Sequence, residues 1–305
     1  MDGVHEGGNN NLNWRVKTYQ IGSEAAVREE ILHTCDRAQV GEILIFPEYA
    51  AYTADESERT LDALIKKAQE KRVTIVTTLN LATSLLPRSK PNHRYNALTL
   101  ITPQGELHVP AAKTTPQSFE MVQYSTRFPK INVTPYDSIR RVTLIQGDET
   151  KTCVFSVCSD LYVLLFGGSD YNDLQADIGI FPGNFGRGAE RAARRVIERL
   201  RTAGVFTETI FCNPMQLTKK PDQLPIVLPA TDYDSQTTPA IPLTDAERIK
   251  LFRENVLLYV DETVEHFVSM ADLTPMHNGR FTIPMSLIDV SPTLEYDDTP
   301  IDLNP

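Results

Sequence analysis

Ile43-Leu-Ile-Phe-Pro-Glu48 is an unbroken apolar run that stops at a proline and a carboxylate. A short continuous apolar run bounded by turn signals reads as a strand buried on both faces, and Gly41 and Pro47 supply those signals here. Glu48 therefore sits at the rim of a buried strand, where partial desolvation raises a carboxyl towards the proton affinity a general base needs. Proline just before it stiffens the backbone and cannot extend the ladder. Two later stretches repeat the device. Val109-Pro-Ala-Ala-Lys113 ends a returning strand in a cation, and Val157-Cys-Ser-Asp-Leu161 follows a β-branched run with a thiol.

Outward from these stretches, strand and helix patterns alternate. Val16–Ile21 reads as a first strand. Ser23 is an N-cap before Val27, Ile31 and Leu32 at helical spacing. Asp55–Lys71 is a helix with Leu61, Leu64, Ile65 and Ala68 on one face. Val73–Thr77 and Tyr95–Thr102 are strands, and Pro103-Gln-Gly105 turns the second back into Leu107–Val109. Residues 117–138 show no period. Arg140–Ile145 and Thr152–Val157 form another hairpin across Gly147. Asp177–Phe181 is a strand, Gly188–Arg201 a basic helix and Gly204–Cys212 a strand. This alternation predicts an α/β fold. Asn213–Leu243, dense in Pro, Thr, Asp and Gln, reads as a long insert. Thr244 caps a helix running to about His266, and one strand lies near Phe281–Ile288. The expected organisation is a disordered tail over 1–13, a single domain over 14–290 with a divergent insert at 213–243, and a C-terminal tail over 291–305.

The chain has 305 residues, 41% hydrophobic and 23% charged, with a net charge of −10. That is globular composition, long enough for one large α/β domain or two smaller ones. The acidic balance argues against nucleic acid and anionic membrane as partners. No apolar run reaches membrane-spanning length. The polar first residues lack the regions of a signal peptide, so the expected setting is cytoplasmic and reduced. Cys35, Cys153, Cys158 and Cys212 are scattered without a C-x-x-C pair, which fits neither a disulfide framework nor a thiolate zinc site. The six histidines show no metal spacing, and no metal or organic cofactor is expected. Gly183-Asn-Phe-Gly186-Arg-Gly188 fits neither a dinucleotide fingerprint nor a P-loop.

Each reactive residue alone has a plain alternative. Cys158 could be a small core hydrophobe, Glu48 a loop carboxylate, Lys113 a solvated cation. Together they outline a hydrolase, because a lysine near a thiol lowers its pKa and can hold an oxyanion. In order and setting the chain resembles the nitrilase superfamily of carbon–nitrogen hydrolases. The matching residues are Phe46-Pro-Glu48, Tyr95-Asn-Ala-Leu98, Pro103-Gln-Gly105, Lys113 and Cys158-Ser-Asp160, spread over about residues 20–215. The resemblance implies a four-layer α-β-β-α sandwich and a homodimer or higher homo-oligomer. It also implies a triad with Cys158 as nucleophile, Glu48 as general base and acid, and Lys113 as oxyanion stabiliser.

The backbone N–H of Ser159 would be a second oxyanion donor. Glu120 matches the second glutamate that helps position substrate. Asp160 points to amide rather than nitrile chemistry on a small-molecule substrate. With an amine in place of water the same triad would transfer an acyl group, and a non-catalytic binding protein on the same fold is a further alternative. The match weakens towards the C-terminus, where Tyr162-Val-Leu-Leu-Phe-Gly-Gly-Ser169 and the 213–243 stretch depart from the family pattern.

Overall fold

The computed structural model describes residues 12–19, 23–116, 120, 131–161, 164, 174–185, 193, 196–198, 200–214, 226–229 and 293–305. Two sheets carry the fold. The first has the order β1-β2-β3-β4-β5, built from β1 (Trp14–Val16), β2 (Ile43–Ile45), β3 (Thr74–Leu81), β4 (Tyr95–Ile101) and β5 (Leu107–Ala112). β1, β2 and β3 run parallel, and β4 and β5 return antiparallel. The second has the order β10-β9-β8-β7-β6-β11. Its strands are β6 (Ser138–Gln146), β7 (Glu149–Phe155), β8 (Ala176–Pro182), β9 (Phe206–Cys212), β10 (Ile226–Pro229) and β11 (Thr293–Asp302).

Alternation along the first sheet explains why β2 is apolar throughout. Ile43, Ile45, Val76, Leu98, Leu100 and Ala111 point into a core shared with Ile139, Val142, Leu144 and Phe155 of the second sheet. Leu44, Phe46, Ile75, Leu79, Ala97 and Ile101 point the other way. They meet Val27, Ile31 and Cys35 of α1 (Glu24–Asp36) and Leu64 and Ala68 of α2 (Ala54–Lys71). A strand between two apolar layers has no polar face to show. Burying one side chain such as Leu64 contributes about 1.5–3 kcal/mol.

Local signals set the ends of these elements. Ser23 caps α1 by accepting from the Ala26 N–H at 3.3 Å. α2 starts without a side-chain cap from Thr53. Glu24 does that work instead, accepting from the N–H groups of Tyr52 and Thr53 at 2.6 and 2.7 Å and tying down the chain that follows Glu48. Gly105, at φ +82°, makes the turn between β4 and β5. Gly147, at φ +61°, opens the two-residue turn between β6 and β7, a positive angle that glycine takes at little cost.

The structure departs from the expected pattern in four places. The first strand covers Trp14–Val16 rather than Val16–Ile21. The segment read as an insert contributes β10, which pairs antiparallel with β9. The segment read as a C-terminal tail is instead strand β11, parallel to β6. There Arg140 pairs with Asp297 at 2.6 Å, Arg88 pairs with Glu295, and Leu303 is fully buried. Ion pairs and two buried apolar residues, Ile301 and Leu303, dock a segment whose composition resembles a solvated tail. Finally, an offset of five residues would put Cys153 and Cys158 on opposite faces of a regular strand, yet both lie in one core cluster. β7 ends at Phe155, so two-residue alternation does not reach Cys158.

Of the basic helix, the described positions 193, 196–198 and 200–202 are helical. The helix expected over 244–266 and the strand near 281–288 lie outside the described residues. No helix among the described residues is long and apolar enough to cross a membrane.

Candidate active site

Glu48, Lys113 and Cys158 each leave the end of a strand, and they converge. Glu48 lies three residues beyond β2, with its N–H donating to Gly183 O at 3.1 Å and its carbonyl accepting from the Tyr19 hydroxyl. Lys113 follows β5 directly, and its N–H donates to Asn96 O at 2.9 Å. Cys158 lies three residues beyond β7, and its N–H donates to Pro182 O at 2.9 Å. The turn after β8, Pro182-Gly183, therefore holds both the carboxylate and the thiol segments by their backbones.

The side chains close the arrangement. Lys113 Nζ donates to Glu48 Oε1 at 2.8 Å and to Glu120 Oε1 and Oε2 at 3.1 and 2.9 Å. The Cys158 thiol lies near enough to Glu48 for each group to shift the pKa of the other. Asn96 Nδ2 donates to Glu48 Oε1 at 2.8 Å. The Tyr49 hydroxyl donates to Glu120, and its ring faces Lys113 Nζ with 5.9 Å to the centroid. Relative exposure is 1% for Glu48, 2% for Lys113, 0% for Glu120 and 4% for Cys158, so these charges interact with little screening.

One ammonium serves two carboxylates, and that ratio sets the electrostatics. Burial pulls the Lys113 pKa down, but Glu120 and Glu48 outweigh it and hold the ammonium charged, with its pKa well above the ordinary value. Burial pushes Glu48 up, Lys113 opposes this, and the second carboxylate adds to the rise. Burial and then Glu48 push the Cys158 thiol up. Lys113 and a backbone hydrogen bond from Asn184 pull it down and do not prevail. Lys113 does pull the thiol down, as expected, but burial and Glu48 outweigh it, so the thiol stands beside a carboxylate of raised basicity.

Backbone strain marks the same place. Tyr49 and Cys158 hold φ at +64° and +52°. For a non-glycine residue each such conformation costs on the order of 1–3 kcal/mol. At Cys158 it falls in the turn that follows β7 by three residues.

Asp160 does not face the triad. Its carboxylate accepts from the Thr114 N–H at 3.0 Å, the Thr115 N–H at 2.8 Å and both threonine hydroxyls at 3.0 and 2.8 Å. Ser159 Oγ donates to Thr115 O at 2.8 Å. Both side chains tie the cysteine turn to the residues just after Lys113. Four donors converge on Asp160 Oδ1, so this oxygen braces the turn, and Oδ2 takes only a share of the Thr114 N–H at 3.0 Å.

The comparisons with known proteins come from structure alone. No protein-family model and no curated protein matches the sequence. A carbon–nitrogen hydrolase from Helicobacter pylori G27 superimposes with a TM-score of 0.52 at 13% identity, covering 71% of this chain and 81% of its own. A mutant of the nitrilase-superfamily amidase from Nesterenkonia AN1 superimposes at 0.50 and 12% identity, covering 71% and 82%. The fold is that of the nitrilase superfamily.

On this nitrilase fold, sequence reasoning found Glu48, Lys113, Cys158 and Glu120, and the structure brings all four together. It missed Tyr49, Asn96 and the Thr114–Thr115 pair. Asn96 lay inside the Tyr95-Asn-Ala-Leu98 motif, but nothing in sequence said what its amide would touch. Among the described residues, no group of His, Cys, Asp and Glu is arranged to hold a metal ion. An open cleft lined by Ser23, Glu24, Thr53, Asp55, Glu56 and Arg59 shares no residue with the site.

Proposed function

We propose that this protein hydrolyses a carbon–nitrogen bond of a small amide through a thioester on Cys158. The observation that carries the proposal is a buried thiol beside Glu48, whose carboxylate is bound at 2.8 Å by Lys113. Glu48 takes the thiol proton as sulfur attacks the carbonyl carbon, so no free thiolate needs to accumulate. The carbonyl oxygen becomes an oxyanion, held by the Lys113 ammonium and the Ser159 N–H. Support for Ser159 comes from the turn itself. The N–H groups of Cys158 and Asp160 are spent on Pro182 O and Val157 O, and among the described residues that of Ser159 has no acceptor. Collapse of the intermediate breaks the C–N bond, and Glu48 returns its proton to the departing amine. Water, deprotonated by Glu48, then attacks the thioester; the acid leaves and the thiol is restored.

Lys113 keeps its charge throughout because Glu120 remains its partner when Glu48 is protonated. The test is ammonia release from a panel of small aliphatic and aromatic amides. Wild type should turn over at least one amide, with an acyl adduct of Cys158 detectable by mass spectrometry under acid quench. Cys158→Ala should abolish release while keeping its circular dichroism spectrum. Retained turnover in that variant would overturn the mechanism.

A further inference from the structure

We infer that Asn96 is a positioning residue that pins one oxygen of Glu48 and so assigns the proton transfers to the other. The inference rests on the hydrolase reading above and deepens it. Asn96, on β4, holds two parts of the site at once. Its Nδ2 donates to Glu48 Oε1 at 2.8 Å, and its backbone carbonyl accepts from the N–H of Lys113 at 2.9 Å. Lys113 Nζ donates to the same Oε1 at 2.8 Å. Two donors on one oxygen stabilise the negative charge there and make it the poorer proton acceptor. Oε2 is then the oxygen that takes the proton from Cys158 and returns it to the leaving amine.

A second observation separates this from simple packing. Asn96 is fully buried, and its Oδ1 has no hydrogen-bond partner. A buried acceptor left unpaired is costly, and a leucine of similar size would fill the position without it. Rotating the amide would not help, because Oδ1 would then face the Glu48 carboxylate, acceptor against acceptor. The side chain keeps the one orientation that serves Glu48.

The charged and titratable groups facing Glu48 are Lys113 beyond β5, Glu120, Cys158 beyond β7, Tyr49 next to it and Tyr19 against its carbonyl. None is altered by a change at Asn96. The direction of the effect follows. Asn96 donates to the ionised form, so its loss raises the proton affinity of Glu48. The acid limb of activity should move to higher pH.

The experiment compares wild type with Asn96→Leu and Asn96→Asp, each checked by melting temperature and near-ultraviolet circular dichroism. Asn96→Ala replaces Asn96→Leu if the latter does not fold. Two pH profiles are recorded: kcat/KM on an amide turned over by wild type, and the rate at which iodoacetamide labels Cys158, read by peptide mass spectrometry. The expected result is a kcat lower by about tenfold or more, the equivalent of one hydrogen bond to a charged group, with KM little changed. The acid limbs of both profiles should rise, further for Asn96→Asp than for Asn96→Leu. A lower rate with unmoved limbs would mean a structural role and overturn the inference. Labelling needs no substrate. A shifted labelling profile in a wild-type background that cleaves no amide would therefore uphold the role of Asn96 and sink the hydrolase reading. Normal amide cleavage with unshifted profiles would do the reverse. A Cys158 that labels at no pH would overturn both.

Discussion

Removing the buried Asp160 carboxylate should cost substantial stability, because it strands donors that have nowhere else to go. Asp160→Ala deletes the acceptor for two backbone N–H groups and two hydroxyls. The hydroxyls can rotate, and that of Thr115 already lies 3.2 Å from Ser159 Oγ. The two N–H groups are fixed by the backbone. Each buried donor left unsatisfied costs about 1–3 kcal/mol, so the pair costs about 4 kcal/mol at the centre of that range. For a chain of about 300 residues, with about 2.1 cal/mol/K of unfolding entropy per residue, that corresponds to a fall in melting temperature of about 6 °C. Asp160→Asn is the informative control. If its amide oxygen takes the Oδ1 position, it keeps both hydroxyls and the Thr115 N–H. Its NH2 then faces the Thr114 N–H, which now approaches Oδ2 at 3.0 Å. Loss of charge and one opposed donor should cost about 1–2 kcal/mol. The assay is thermal and urea unfolding of both variants beside wild type. The expected order is wild type, then Asn, then Ala. An Asp160→Ala protein melting within about 1 °C of wild type would refute the clamp, since about 0.6 kcal/mol is too little for two stranded donors.

Two further outcomes follow from the geometry. Glu48→Gln should lower kcat by about 10²–10⁴-fold, the usual contribution of a general base, while Lys113 keeps Glu120 as its ion partner and the protein stays folded. Because burial raises the Glu48 pKa, the ionised base forms only above the ordinary carboxylate range. The acid limb of wild-type kcat/KM should thus lie above about pH 4.3, and a limb at or below that value would contradict the assigned base. Leu303→Ala should destabilise by about 2–5 kcal/mol, since the side chain is fully buried beyond β11; a negligible effect in urea unfolding would mean that β11 does not dock as described.

Much of the fold is legible in sequence because burial leaves a periodic trace. β2 is apolar at every position because both its faces are covered, and α2 repeats its apolar residues every three to four positions because only one face is. β11 leaves no such trace. Thr-Leu-Glu-Tyr-Asp-Asp-Thr-Pro-Ile-Asp holds acidic residues and a proline, and its described side chains before Ile301 are half-buried or exposed. What docks it is charge on other strands: Arg140 on β6 and Arg88 in the loop before β4, far away in sequence. A strand at the edge of a sheet, held by ion pairs, has the composition of a solvated tail, and composition alone cannot separate the two.

The same distinction divides the site. Glu48, Lys113 and Cys158 are readable because each is a reactive side chain placed where an apolar run stops, and strand ends are where chains meet. Their supports lie on the neighbouring segments with no such mark. Asn96 touches Glu48 across 48 residues, and Asp160 touches Thr114 across 46. Asp160 makes the point most sharply. In sequence it stands two places after the nucleophile and invites a chemical role. In space its Oδ1 gathers four donors from the two residues after Lys113, so it joins the thiol turn to the ammonium segment. How much of a carboxylate's hydrogen-bonding capacity goes to its own neighbours can be counted only once the partners are known.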